Sequence, residues 1–157
     1  MAVPFMDLAR AFAPFESAWR DAALRVLDHK KFILGEEVEA FERTMSASLG
    51  GARVVGMSSG TDALLAGLMA LGVGRGDKVL TTPFSFFATA GTIARLGAVS
   101  VFADIDPKTY GLDATRLGRV RRDEIKCLVP VHLFGAALDL DLLSDWAGDV
   151  PILEDAA

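Results

Sequence analysis

From Arg53 onward, short apolar runs alternate with segments of helical spacing, and this alternation constrains the fold more than any other feature of the chain. Residues 53–57 (RVVGM), 78–82 (KVLTT), 99–103 and 126–132 read as strands, and 151–154 begins a fifth. Between Lys126 and His132 the chain is continuously apolar, as in a strand covered on both faces. Helices are expected at 62–71, 87–96 and 138–147. The first of these is apolar on nearly every side and therefore expected to be buried. The second is stopped by Gly97. Strands joined through helical crossovers make an α/β fold, a mostly parallel sheet with helices on both faces. The first 50 residues differ: 15–29 and 36–49 look helical, linked around Phe32-Ile-Leu-Gly35. Val38, Phe41 and Met45 alternate there with Glu37, Glu39, Glu42 and Arg43, the pattern of an amphipathic surface helix. The reading is a helical segment over 1–50 and an α/β domain over 51–157.

Composition narrows the function. The 157 residues are 52% hydrophobic and 24% charged, which excludes intrinsic disorder and is enough for a core without disulfides. Sixteen Lys and Arg against 21 Asp and Glu give net −5, without the basic patch that a nucleic-acid surface needs. Arg116, Arg119, Arg121 and Arg122 are closed at once by Asp123 and Glu124 and read as a solvated face. A single cysteine, Cys127, rules out an internal disulfide and a cysteine metal cluster, and its apolar setting suits a small buried hydrophobe. Without paired histidines or an HExxH pattern no metal is expected. The longest apolar stretch, 63–74, is too short for a bilayer, and no signal-peptide core is seen, so the expectation is a cytoplasmic protein without membrane contact. So high an apolar share in a short chain hints at surface covered by something else.

In open parallel sheets ligands lie beyond the carboxyl ends of the strands. After the first strand comes Ser58-Ser59-Gly60-Thr61-Asp62, which serves equally as a phosphate cradle at a helix start or as plain N-capping. After the second comes Phe84-Ser85-Phe86-Phe87, where an aromatic can stack on a flat ring, although core packing is the commoner role of any one Phe. After the fourth, His132 reads as a satisfied structural residue. After the fifth stands Asp155, a carboxylate costly to bury alone, which either caps the next element or faces a cation. A cradle, a stacking aromatic and a buried acid together describe a phosphorylated, protonated aromatic heterocycle. Gly72-Val-Gly74-Arg-Gly76 is not a dinucleotide fingerprint, because its third glycine comes one residue early and the motif precedes a strand.

The blocks FILGEEVEAFE, SSGTDALLAGLMALGVGRGDKVLTTPFSFFATAGTIARLGAVSVFADID, VPVHLFGAALDLDLL and ILEDAA, in this order over residues 32–157, resemble the N-terminal part of the DegT/DnrJ/EryC1/StrS family of pyridoxal-phosphate-dependent sugar aminotransferases. The resemblance implies the large domain of a fold-type-I aminotransferase, incomplete in this chain, with pyridoxal 5′-phosphate as cofactor. It implies that Gly60 and Thr61 hold the cofactor phosphate with Ser59 beside them, that Phe86 stacks on the pyridine ring, and that Asp155 pairs with the ring nitrogen. It further implies a nucleotide-linked keto sugar and an amino-acid donor as substrates, and a homodimer with shared active sites. The family's Schiff-base lysine lies after the Glu-Asp-Ala-Ala block. None of Lys30, Lys31, Lys78, Lys108 or Lys126 falls at its position, so no catalytic residue is assigned and residues 1–157 alone are expected to be inactive. Two further strands of the family sheet would separate 53–57 from the fifth strand, leaving 53–57 without neighbours. Two alternatives stand beside amino transfer: a family dehydratase of a deoxysugar, with histidine in place of the lysine, or a truncated non-catalytic fragment or assembly module.

Overall fold

The computed structural model describes residues 3–157. The chain forms two compact units, the first closing at Gly56 and the second spanning Met57–Ala157.

In the first unit the Asp7 side chain accepts from the Arg10 amide at 3.0 Å and starts α1 (Leu8–Phe12). A 3-10 turn, Ala13–Phe15, leads into α2 (Glu16–His29), which ends at Lys30 in the left-handed conformation. α3 (Glu36–Ser48) begins after Gly35 with Glu36, Glu37 and Glu39 in its first turn, where the helix dipole favours negative charge. Arg25 reaches Glu37 at 3.0 Å and so ties α2 to α3. The expected amphipathic helices are present, yet no residue of α1, α2 or α3 is buried.

The second unit holds a parallel sheet, β1 (Lys78–Thr81), β2 (Val99–Phe102) and β3 (Ile125–Leu128), in the order β2-β1-β3. Residues 151–155 run beside β3 in the same direction. The Leu128 amide donates to Pro151 O and the Leu153 amide to Leu128 O, and one step on the Asp155 amide donates to Pro130 O and the His132 amide to Asp155 O, all at 2.9–3.0 Å. The fifth expected strand is therefore present as a short ladder. Three helices complete the unit: α4 (Gly60–Ala70), α5 (Phe87–Arg95) and α6 (Leu140–Ala147). Gly97 follows α5 with φ +71°, the left-handed conformation that stops a helix without penalty only at glycine.

Strand side chains alternate between faces, and the two cores follow that period except at the start of β3, where a register shift against β1 puts Ile125 on the face opposite Cys127. Val79, Cys127 and Val129 pack with Leu68 of α4, Ile93 of α5 and Leu153. Leu80, Ile125 and Leu128 pack with Leu143 and Ala147 of α6 and with Leu112 and Leu117 from the β2–β3 connection. Helices thus cover both faces of the sheet. In the same connection the basic stretch is paired at the surface: Arg116 with Asp104 at 3.0 Å and Asp113 at 2.9 Å, and Arg121 with Glu124 at 2.8 Å.

Two expectations need correction. Residues 53–57 form no strand, because no described strand lies beside them to supply hydrogen-bond partners; Val55 is 70% exposed. α4 is also not buried all round. The sheet covers one of its sides, so Leu64 and Leu68 are buried while Met69 stays 60% exposed.

Candidate functional site

The site lies at the carboxyl end of the sheet on the α4/α5 face. Register parity puts it there: Asp155 is two residues beyond Leu153 and shares its face, whereas Glu154 points the other way, to His132. A cavity of about 230 Å³ is lined by Gly60, Thr61, Ser85, Phe86, Val131 and Asp155, among others. Four of the five residues singled out for cofactor binding (Gly60, Thr61, Phe86, Asp155) therefore meet around one space. Ser59, the fifth, does not line it. Ser59 is the N-cap of α4, and its side chain accepts from the Asp62 amide at 3.1 Å. The capping role and the helix-start geometry thus coexist in one loop.

At that helix start, Gly60 and Thr61 are the first two residues of α4, whose amides have no carbonyl one turn back to receive them. Such amides and the helix dipole favour an anion. Glycine at Gly60 has no packing reason, since an added Cβ would meet only the Ala157 methyl, at 3.7 Å, an ordinary contact. Its backbone is not in a left-handed conformation either. What glycine leaves there is open approach to the backbone.

Phe86 sits at the N-cap of α5 in extended conformation and is 75% exposed, a large apolar ring on the cavity wall without a cover. Asp155 is the opposite case. It is 6% exposed and accepts from Thr89 Oγ1 at 2.6 Å, with a long contact from the Ala157 amide at 3.4 Å. Among the described residues it makes no ion pair. A buried carboxylate with hydroxyl support but no cation is an incomplete arrangement.

Thr89 and Ser85 are functional candidates that the sequence reading passed over. Ser85 Oγ lies 2.8 Å from Thr89 Oγ1, so two hydroxyls lead to the carboxylate. Their four-residue spacing on a helix start was the available signal. His132 is the satisfied structural residue expected of it. Its Nδ1 accepts from the Leu138 amide at 3.0 Å, which leaves Nε2 to carry the proton toward Glu154 at 2.9 Å. Burial pushes the Cys127 thiol up to about 11, so it is an inert core group. No lysine lines the cavity. Among the described residues no cluster of His, Cys, Asp and Glu could hold a metal ion, and no helix is long and apolar enough to cross a membrane.

Residues 16–157 match the DegT/DnrJ/EryC1/StrS aminotransferase family. The chain is 40% identical over 157 residues to the UDP-2-acetamido-2-deoxy-3-oxo-D-glucuronate aminotransferase of Pseudomonas aeruginosa, covering 99% of this chain and 44% of that protein. The crystal structure of NtdA from Bacillus subtilis with bound cofactor PMP superposes with a TM-score of 0.93 at 32% identity, covering 98% of this chain and 36% of that one. The GDP-4-keto-6-deoxy-D-mannose-3-dehydratase of E. coli with bound hydrated PLP superposes with a TM-score of 0.80 at 29% identity, over 87% of this chain and 37% of that one. The chain spans less than half the length of each of these relatives. With a match over most of its residues, it belongs to the DegT/DnrJ/EryC1/StrS aminotransferase family.

Proposed function

We propose that the protein containing this chain transfers an amino group to a nucleotide-linked keto sugar, using pyridoxal 5′-phosphate. The observation that carries this reading is the buried Asp155 carboxylate, which makes no ion pair among the described residues and opens on a cavity flanked by a bare helix start and an exposed aromatic ring. The residues fit the group. Gly60 and Thr61 would hold its phosphate through their free amides, with Ser59 capping the same turn. Phe86 would cover one face of the ring, and Asp155 would pair with the ring nitrogen. When bound, the cofactor supplies an electron sink for the carbanion formed during amino transfer. The chain's own part is to hold a proton on the ring nitrogen: the Asp155 carboxylate accepts that N–H, and its burial keeps water from competing for it. Phe86 limits tilting of the ring, and the start of α4 fixes the other end of the molecule.

The similarity to the dehydratase supports a second reading, removal of a deoxysugar hydroxyl with the same cofactor. The residues around this cavity serve both reactions equally. A non-catalytic fragment or assembly module would not need an unpaired buried acid. On the proposed reading residues 1–50 are a helical segment, 51–157 are part of the cofactor-binding domain, an amino acid is the donor, and the protein is a cytoplasmic homodimer with shared sites. No lysine of this chain is assigned a catalytic role.

The test is Asp155→Asn in the protein as its gene encodes it, titrated with pyridoxal 5′-phosphate and followed by absorbance. Loss of a charge-assisted hydrogen bond, worth about 1.5–3 kcal/mol, is expected to weaken binding about ten- to a hundredfold with native circular dichroism retained. Unchanged affinity and turnover would remove Asp155 from this role.

A further inference from the structure

A carboxylate only 6% exposed needs hydrogen-bond donors, and the structure puts Thr89 in contact with it. Thr89 is itself 2% exposed. A hydroxyl has one proton to give. Threonines in helices often return it to a carbonyl one turn back, and Thr92 does so toward Ala88 O at 2.9 Å. The Thr89 proton goes instead to Asp155 Oδ2, at 2.6 Å. In the 2.8 Å contact between Ser85 and Thr89 the serine must then be the donor, because the threonine proton is already committed. The order is Ser85 to Thr89 to Asp155, and each donation polarises the next. Oδ2 is occupied in this way, whereas Oδ1 has only the 3.4 Å contact from the Ala157 amide.

We propose that Thr89 is a positioning residue: by committing Oδ2 of Asp155 it leaves Oδ1 as the acceptor for a protonated ring nitrogen, with Ser85 as the outer member of the relay. The inference rests on the cofactor reading above and assigns residues to that site which neither motif nor comparison supplies. An acceptor fixed at Oδ1 stabilises a proton on the ring nitrogen through a charge-assisted hydrogen bond, and a carboxylate free to turn away does so less.

The experiment uses pyridoxamine 5′-phosphate labelled with ¹⁵N in the ring, a probe that needs no covalent link to the protein. The gene-encoded protein and its Thr89→Val, Thr89→Ser and Ser85→Ala variants are compared by fluorescence titration and by the ¹⁵N shift of the bound ring. Thr89→Val is expected to bind about ten- to a hundredfold more weakly, the range of a hydrogen bond to a charged group. Its ring nitrogen is expected to move from the protonated toward the unprotonated position. Thr89→Ser should restore both, and Ser85→Ala should shift the signal in the same direction by less. Thr89→Val with wild-type affinity, or with weaker binding but a fully protonated ring, overturns the proposal, as does failure of Thr89→Ser to rescue. If Thr89→Val lacks a native near-UV spectrum, a natively folded Ser85→Ala with an unchanged ring signal overturns it instead. No saturable binding by the wild type brings down the cofactor reading and this inference together, whereas saturable binding by the wild type with no response in the variants brings down the inference alone.

Discussion

At the scale of single residues, buried groups divide into those that packing explains and those it does not. Cys127 is explained. It is 0% exposed between Val79 and Val129, and burial raises its thiol to about 11. At pH 8 only about one thiol in a thousand would then be ionised, and the thiolate is the reactive form. The native protein is expected to resist iodoacetamide at pH 8 and to take up one label at Cys127 after urea is added, counted by mass spectrometry. Rapid labelling without urea would show that β3 opens to solvent. Asp155 is the unexplained case, and it was legible in the sequence because a carboxylate after an apolar run has to find a partner. Thr89 was not legible. A threonine inside a helical segment has several ordinary uses, and only the tertiary structure brings residue 89 to residue 155.

At the scale of elements, an ionic clasp joins the starts of β1 and β3. Lys78 donates to Glu124, and Arg121 reaches the other carboxylate oxygen at 2.8 Å. The hydrogen bond from Lys78 above all, then the charges of Arg121 and Lys78, hold the Glu124 carboxyl below its ordinary range. A carboxyl depressed in the folded state binds protons more readily when unfolded. Its contribution is therefore full above the ordinary carboxylate pKa of about 4.3 and fades as pH falls through the lower folded value. Glu124→Gln is expected to lower the melting temperature slightly at pH 7, the small effect of a partly exposed pair, and to match the wild type in acid below the carboxylate range. Equal melting temperatures at pH 7 would dismiss the clasp. Helix bounds followed from local chemistry, with Asp139 capping α6 and Gly97 ending α5. Residues 53–57 looked like a strand by composition alone, but a strand exists only when another lies beside it.

At the scale of the whole molecule, apolar surface is left open. On the outer side of α5 and β2 a groove of about 830 Å³ is lined by Phe86, Phe87, Ala90, Gly91, Ala94 and Phe102. Phe87 is 80% exposed and Phe102 50%. The apolar face of α2 is open as well, with Trp19 52% and Leu27 58% exposed. Patches of this kind mark surface that another chain or segment covers. Residues 1–157 expressed alone are expected to associate nonspecifically and to melt without a sharp transition, whereas the gene-encoded protein sediments as a homodimer. Near-UV circular dichroism and sedimentation equilibrium check both halves. A cooperative, monomeric 1–157 contradicts the first, and a stable, active monomer of the gene-encoded protein the second.

By itself the sequence determined the alternating α/β architecture, the helix ends and the neighbourhood of Gly60, Thr61, Phe86 and Asp155. Apolar periodicity, capping residues and the strand-end rule are local or nearly local signals. The tertiary structure alone decided which of those residues share a cavity. It did so through the pairing of 151–155 with β3, whose register puts Asp155 on the α4/α5 face and Glu154 on the other. It also decided that Asp155 meets Thr89, 66 positions away, and that 53–57 has no neighbouring strand among the described residues. A one-residue slip in that pairing would carry Asp155 to the opposite face, and the energy that forbids it resides in long-range packing rather than in any local run of residues.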